Sequence, residues 1–318
     1  LLTRLAYHMP LLRLPAILHS KSASSLAILG MGAALYAFVF ANYGVSLELP
    51  SLSEVYGQRA EFREQVSGLG AYAFFWLAKA INPFLMAKGY LERDTKMFGL
   101  GLMGQLVLFS MSGLKSILFS CLLLGGVLIT LQKQGRYFGN LIVWGLAVLI
   151  LVTVSVDYYL GINVTSSLFV RRLLMVPGLN TGYFFDFFSQ NPNAFLGHSF
   201  LSAIAEYPYE ARPALVVGDA YYGHLGRTLE TSANVNLWAD GYANFGLLGM
   251  FMFTAAFVFV LWVMDSLANR KNRSLATLML AYPAYALINT KLHTSLLTHG
   301  IAVVLVILYL LPKNDDER

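Results

Sequence analysis

Gly139-Asn-Leu-Ile-Val-Trp-Gly-Leu-Ala-Val-Leu-Ile-Leu-Val-Thr-Val-Ser-Val156 carries no charge and is long enough, at 1.5 Å per residue, to reach most of the way across a hydrocarbon core of about 30 Å. Working outward from it, comparable apolar runs lie at about 26–44, 69–87, 97–112 and 116–131 on the N-terminal side, and at 243–264, 275–290 and 295–311 on the C-terminal side. Eight such runs in 318 residues predict an all-α, polytopic transmembrane helix bundle. Composition agrees: 57% of the chain is hydrophobic and 12% charged, where a soluble domain carries about a quarter charged residues. A soluble globular protein is thereby excluded. Residue 1 is Leu, and 1–25 lacks the basic, apolar and small-residue order of a signal peptide, so the chain reads as an N-terminally trimmed piece with an even number of spans missing upstream.

The formal net charge of +5 is sorted by membrane side. Arg4, Arg13 and Lys21, then Lys88, Arg93 and Lys96, then Lys133 and Arg136, then Arg270, Lys271 and Arg273, and finally Lys313 and Arg318 fall on one side. The opposite short connections hold Arg59, Arg63, Lys115 and Lys291. By the positive-inside rule both termini are cytoplasmic and 158–242 lies outside, as in a multi-pass protein of a bacterial inner membrane. The sequence divides into N-terminal transmembrane helices at 1–157, an external membrane-associated loop at 158–242 between spans five and six, and C-terminal transmembrane helices at 243–318, in one integrated domain. The charge sorting argues for the bilayer as partner and against nucleic acid.

Two hairpins, 97–112 with 116–131 and 275–290 with 295–311, have about 16 residues per helix, or ~24 Å. Their outer tips, with Gly113, Lys115 and Ser116 in one and Lys291, His293 and Thr294 in the other, then sit below the outer surface. Lys115 either snorkels or meets a lipid phosphate; for Lys291 snorkelling is the simpler reading. Lys79 lies near the middle of its span, where an unpaired charge costs ~2.5–3.5 kcal/mol, so it requires a partner or a wet cavity. Asn82 and Pro83, just beyond it, predict a kinked helix, with structural pairing and substrate contact both open for the lysine.

The external stretch is too long for a simple connection and too apolar to float free, so it folds back on the membrane. Its aromatic rings, from Tyr158 to Tyr242, suit the headgroup interface and also the stacking of sugar faces. Residues 166–176 read as an interfacial or re-entrant helix ended by Pro177-Gly178, with Arg171 and Arg172 at lipid-phosphate height. Polar groups gather here: Asp186, His198, Glu206, Glu210, Arg212, Asp219, His224, Arg227, Glu230, Asn234, Asn236, Asp240 and Asn244. None has the H-x-x-x-H metal spacing, and G-x-S-x-G, G-x-x-x-x-G-K-[ST] and G-x-G-x-x-G are absent from the sequence; Gly113-Leu114-Lys115-Ser116 lacks the upstream glycine of a phosphate loop. Cys121, the single cysteine, lies inside an apolar run, which removes disulfides, cysteine-based zinc and redox pairs.

Arg172-Leu-Leu-Met-Val-Pro177, Tyr183-Phe-Phe-Asp-Phe-Phe188, His198-Ser199, Gly218 with Tyr221-Tyr222-Gly223, and Ala233-Asn234-Val-Asn-Leu-Trp-Ala-Asp240-Gly241-Tyr242-Ala-Asn244-Phe245-Gly246 occur in one loop between spans of the right orientation. In order and spacing they resemble the O-antigen and oligosaccharide repeat-unit polymerases (Wzy type), a likeness that extends more loosely from about residue 70 to 311. The resemblance implies a GT-C-like membrane glycosyltransferase that works on the periplasmic face without a metal or other cofactor. It implies undecaprenyl-diphosphate-linked oligosaccharides as donor and acceptor, and a chain-length regulator protein as partner.

On that likeness Arg172, with Arg171 and Arg227 and with Lys115 deeper, grips the diphosphate, a task that suits arginine because its planar fork binds phosphate oxygens in pairs. Headgroup anchoring is the alternative for the two adjacent arginines. Asp240 is the first candidate for the base, with His198 and His224 behind it; helix capping or a first-turn role is the alternative for Asp240. Asn234, Asn236, Asn244, Tyr183 and Trp238 are the candidates for binding sugar. Gly241, Gly246 and Gly249 read as close-approach positions between helices. Two other functions compete. An O-antigen ligase resembles this architecture but places His where Ala233 stands. A lipid-linked oligosaccharide flippase would show inverted repeats and several ionisable groups at depth, whereas Lys79 alone is read there.

Overall fold

The structure, a computed structural model, describes residues 8–12, 14–15, 17–18, 20–45, 55–133, 137–199, 201–223, 231–268 and 272–312. Of the basic residues used for orientation, Arg4, Arg13, Arg136, Arg270, Lys271, Lys313 and Arg318 fall outside them. Among the described residues the regular structure is all helical. Five helices are long and apolar enough to cross a bilayer: α1 (Lys21–Tyr43), α3 (Gly68–Glu92), α5 (Lys115–Lys133, apolar over Lys115–Gln132), α6 (Phe138–Leu160) and α10 (Leu237–Leu267). Between them lie α2 (Val55–Gln65), α4 (Thr95–Ser112), α7 (Thr165–Leu168), α8 (Val176–Gln190) and α9 (Pro213–Tyr222). The last expected hairpin is α11 (Arg273–Ala286), α12 (Leu292–Leu297) and α13 (Ile301–Leu310). The run expected at 295–311 is therefore broken, with Gly300 in the left-handed region at φ 83° between α12 and α13.

The chain sorts into two compact units. Of the described residues, one holds those within 9–136, 261–285 and 293–312; the other holds those within 137–260 and 286–292, with His8.

The first unit is organised by α3, whose residues from Leu77 to Ala87 are buried. The irregularity expected near Pro83 takes the form of a π turn, Leu77–Ile81. A proline ring collides with the carbonyl four residues back in a regular helix, and a wider turn just upstream relieves that collision. The same arrangement recurs at Arg171–Met175 before Pro177, and there it corrects the sequence reading: Pro177-Gly178 does not end a helix but opens α8. Helix α4 packs closely on α3 because Gly101 and Gly104 lie against Asn82 and Met86. A Cβ on Gly101 would come within 2.8 Å of Asn82 O. Asn82 is fully buried and donates to Tyr36 Oη (2.8 Å), while Gln105 donates to Ala78 O (2.8 Å) and Ser120 Oγ (3.0 Å). Buried amides satisfied in this way lock α1, α3, α4 and α5 together without charge.

In the second unit Asp157, near the end of α6, fastens α7. Its carboxylate accepts from Thr165 N (3.0 Å), Thr165 Oγ1 (2.7 Å), Ser166 N (2.8 Å) and the Ser166 hydroxyl. The helices that follow enclose an apolar core of Phe184, Phe188, Val217, Val235 and the alanines 194, 214, 233, 239 and 243. Small residues bring backbones together here: Ala233 N–H donates to Ala214 O (2.8 Å), and a Cβ on Gly218 would lie 1.8 Å from Thr231 O.

Helix α10 is two helices joined at a bend, since Phe245 (φ −145°, ψ 21°) and Gly246 (φ 60°, ψ −146°) leave helical space. Its legs touch at the glycines singled out in the sequence: a Cβ on Gly249 would sit 2.0 Å from Gly241 O. Trp238 Nε1 donates across the same junction to Thr254 Oγ1 (3.1 Å).

Candidate functional site

Asn236 caps the first leg of α10, its Oδ1 accepting from Trp238 N and Ala239 N (both 3.1 Å), so Asp240 is a first-turn acid rather than the cap. Asp240 has no exposed surface. A carboxylate removed from water needs a counter-charge, and Lys291 supplies it: Nζ lies 2.9 Å from Asp240 Oδ1, with the lysine side chain only 16% exposed. The same ammonium lies 3.2 Å from His198 Nε2. An ammonium can only donate, so Nε2 is the acceptor and a neutral His198 carries its proton on Nδ1. Asp240 Oδ2 has no hydrogen-bond partner among the described residues. Removing either partner of such a pair leaves an uncompensated buried charge, at a cost of ~3–5 kcal/mol.

The loop that delivers His198 is anchored one turn beyond Asp240. Asn244, also without exposed surface, accepts from Leu196 N (2.8 Å) through Oδ1 and donates to Asp240 O (2.8 Å) through Nδ2. Ala194 N–H donates to Ala243 O (2.9 Å). Held at both points, Phe195 and Leu196 adopt positive φ (47° and 56°), a conformation costly for side-chain-bearing residues and sustained here by its surroundings. The ring of Tyr207 lies 5.4 Å from that of His198. Burial, with Tyr209 as the lesser cause, pushes the Tyr207 phenol up to about 12, so it remains a neutral neighbour at any physiological pH.

Two of the three residues expected for acid–base work, Asp240 and His198, therefore meet at one ammonium; His224 lies outside the described residues, as does Arg227. Arg171 and Arg172 are exposed on the π turn before α8. Lys115 belongs to the other compact unit, at the start of α5.

The expected sugar-binding residues divide. Asn244 and Asn236 are committed to the backbone contacts above, Asn236 donating also to Thr181 Oγ1 (3.0 Å). Asn234 Oδ1 accepts from Ser232 Oγ (3.0 Å), and its backbone carbonyl accepts from Asn180 Nδ2 (2.9 Å). Tyr183 stacks on Tyr221 with centroids 4.2 Å apart. Tyr221 in turn donates to Asp186, and burial together with that carboxylate raises its phenol to about 12. Trp238 presents an open face, 51% exposed.

Lys291 is the residue that the sequence reading missed, for it does not snorkel. One signal was available: a lysine immediately before a helix start opposes the helix dipole, so another interaction must hold it there. A second cation cluster lies in the first unit. Lys79 meets His299 Nδ1 and lies over the Phe75 ring, 4.1 Å from its centroid, at the π turn of α3 and the break before α13. Lys79 thus has the partner its depth requires, and His299 was not foreseen. Among the described residues no group of three His, Cys, Asp or Glu side chains gathers in a way that could hold a metal ion. Compared with protein-family models, curated proteins and solved structures, the chain matches none.

Proposed function

We propose that this membrane protein polymerises undecaprenyl-diphosphate-linked oligosaccharide repeat units into O-antigen or a similar surface polysaccharide, at the periplasmic face of a bacterial inner membrane. The observation that carries this reading is the Asp240–Lys291–His198 cluster, in which Asp240 and His198 come from the motifs that resemble the repeat-unit polymerases and Lys291 from outside them. In the reaction the acceptor sugar hydroxyl gives its proton to this cluster and its oxygen bonds to the anomeric carbon of the donor. The bond from that carbon to the diphosphate breaks, and the electron pair leaves on undecaprenyl diphosphate. Arg171 and Arg172, exposed on one π turn, are the groups assigned to the developing charge of the leaving diphosphate. Both termini are assigned to the cytoplasm on the charge sorting above.

Reconstitution with lipid-diphosphate-linked repeat units tests the reading: a ladder of longer lipid-linked glycans is the expected product. Arg172→Ala should lower extension about 100-fold or more with expression unchanged, and Arg172→Lys should rescue poorly. Full activity in the alanine variant removes Arg172 from the site.

A transporter of lipid-linked oligosaccharides is the second reading, favoured by one observation. Lys79 and His299 pair where one helix carries a π turn and another is interrupted, the kind of broken-helix setting in which carriers place their ionisable groups. Movement of the lipid-linked unit across a sealed bilayer without extension would favour it over the polymerase.

A further inference from the structure

Lys291 has no role in the motifs that support the proposed function, and its position makes little sense as a lipid or solvent contact. It precedes α12, where the helix dipole disfavours a cation; its side chain is 16% exposed; and its ammonium contacts the two groups that the polymerase reading would employ. We propose that Lys291 is a positioning residue for that chemistry. It joins Asp240 and His198 into a unit in which the carboxylate's charge is compensated and the imidazole has a fixed tautomer. The inference rests on the polymerase reading for its reaction and on geometry alone for its structural content.

Asp240 is completely covered, so it meets a substrate in this conformation only through neighbours that are less covered. Lys291 and His198 are those neighbours, both partly exposed. The ammonium faces the carboxylate at 2.9 Å and the imidazole at 3.2 Å, so a change in charge on either acid–base group is felt by the other through one shared donor. Asn244 fixes the spacing from behind: it holds the Asp240 carbonyl with Nδ2 and the loop before His198 with Oδ1. Lysine suits the task for its compact, rotatable ammonium, which can serve two acceptors that do not lie in one plane. In sequence Lys291 is far from both partners, and the turn that presents it is shaped locally by Asn289 N–H donating to Ala286 O (3.0 Å) and by Thr290 donating to the same carbonyl (2.5 Å).

The test uses the full chain in detergent or nanodiscs, with Lys291→Met, Lys291→Arg, Asp240→Asn and the double variant Asp240→Asn/Lys291→Met. Nitrogen NMR of histidine-labelled protein, with the His198 signal assigned by its loss in His198→Gln, reads the tautomer without needing any substrate. The expected result is the Nδ1–H form in the wild type and in Lys291→Arg, and a shift away from it in Lys291→Met. In thermal unfolding the double variant should recover most of the midpoint that Lys291→Met loses, because the buried carboxylate is neutralised together with its partner. With lipid-diphosphate-linked repeat units as the probe, extension should fall about 100-fold in Lys291→Met, stay within about tenfold in Lys291→Arg, and stay low in the stable double variant. An unchanged His198 tautomer in Lys291→Met overturns the proposal, as does wild-type extension by the double variant, which would reduce the pair to a structural one. Should the wild-type protein extend no lipid-linked unit, the polymerase reading falls, and the tautomer result alone decides whether Lys291 orders His198.

Discussion

Asn244 shows how much one side chain can hold in place. Its carbonyl and amide groups are both spent inside the protein, on Leu196 N and on Asp240 O, and no part of it reaches solvent. Asn244→Ala should therefore destabilise the protein by about 1–3 kcal/mol, the cost of leaving a buried donor and acceptor unmet, as read from thermal unfolding in detergent. It should also release the loop that carries His198, which amide hydrogen exchange over 194–199 would detect. Asn236→Ala loses a helix cap and should cost about 1 kcal/mol. The sequence grouped these asparagines as sugar ligands because they cluster beside Asp240. Their proximity was legible, but their roles were not, since a side chain that binds a hydroxyl and one that ties down a backbone carbonyl have the same composition. Lys291 was illegible for a different reason. Its partner is 51 positions away, beyond a whole membrane helix, and only folding brings the two charges together.

At the scale of elements, the long apolar runs were readable because lipid exposure requires an uninterrupted apolar stretch. The run expected at 139–156 forms α6 from Phe138 to Leu160, and that at 26–44 forms α1 from Lys21 to Tyr43. What hydropathy does not report is where a helix bends within such a run. Phe245 and Gly246 lie inside the apolar stretch expected at 243–264, yet the chain turns there and brings Gly241 against Gly249. Gly249→Ala puts a methyl group into the Gly241 backbone, which no rotamer can avoid, so the legs must part. A loss of about 1–3 kcal/mol is expected, visible as a lower unfolding midpoint. Gly246→Ala should cost a similar amount through its backbone, which adopts φ 60° with ψ −146°, a region essentially confined to glycine. A midpoint unchanged in both variants would mean that the bend is not part of the folded state.

For the molecule as a whole, charge asymmetry predicts an orientation that labelling can check. With Cys121 replaced by Ser, a cysteine introduced at the exposed Ser202 should react with a membrane-impermeant maleimide in cells whose outer membrane alone is permeabilised. One at the exposed Lys96 should react only after the inner membrane is opened. The opposite pattern would invert the topology and place the Asp240 cluster in the cytoplasm. Eight spans follow from hydropathy; five helices meet the requirement by length and composition among the described residues, while α4 is long enough but less apolar and the last hairpin is shorter and interrupted. Shortness holds in the last hairpin, where α11 and α13 have 14 and 10 residues, but not in the first, where α4 and α5 run to 18 and 19 residues against about 16 expected. The interruption at Thr298–Gly300 was not readable, because it depends on a left-handed glycine set against Ala80 of α3.

The widened turn of α3 has one more consequence. A π turn holds about one residue more than an α turn, so everything after Ile81 is rotated by roughly 100° relative to an unbroken helix. Asn82 faces Tyr36 and Gln105 because of that phase shift. The helix is in effect two rods spliced out of step, and its length in residues is as constrained as their identity. Inserting one further alanine here, which the already widened turn cannot absorb, should scramble the packing of α1 and α4 more thoroughly than most substitutions in the same stretch.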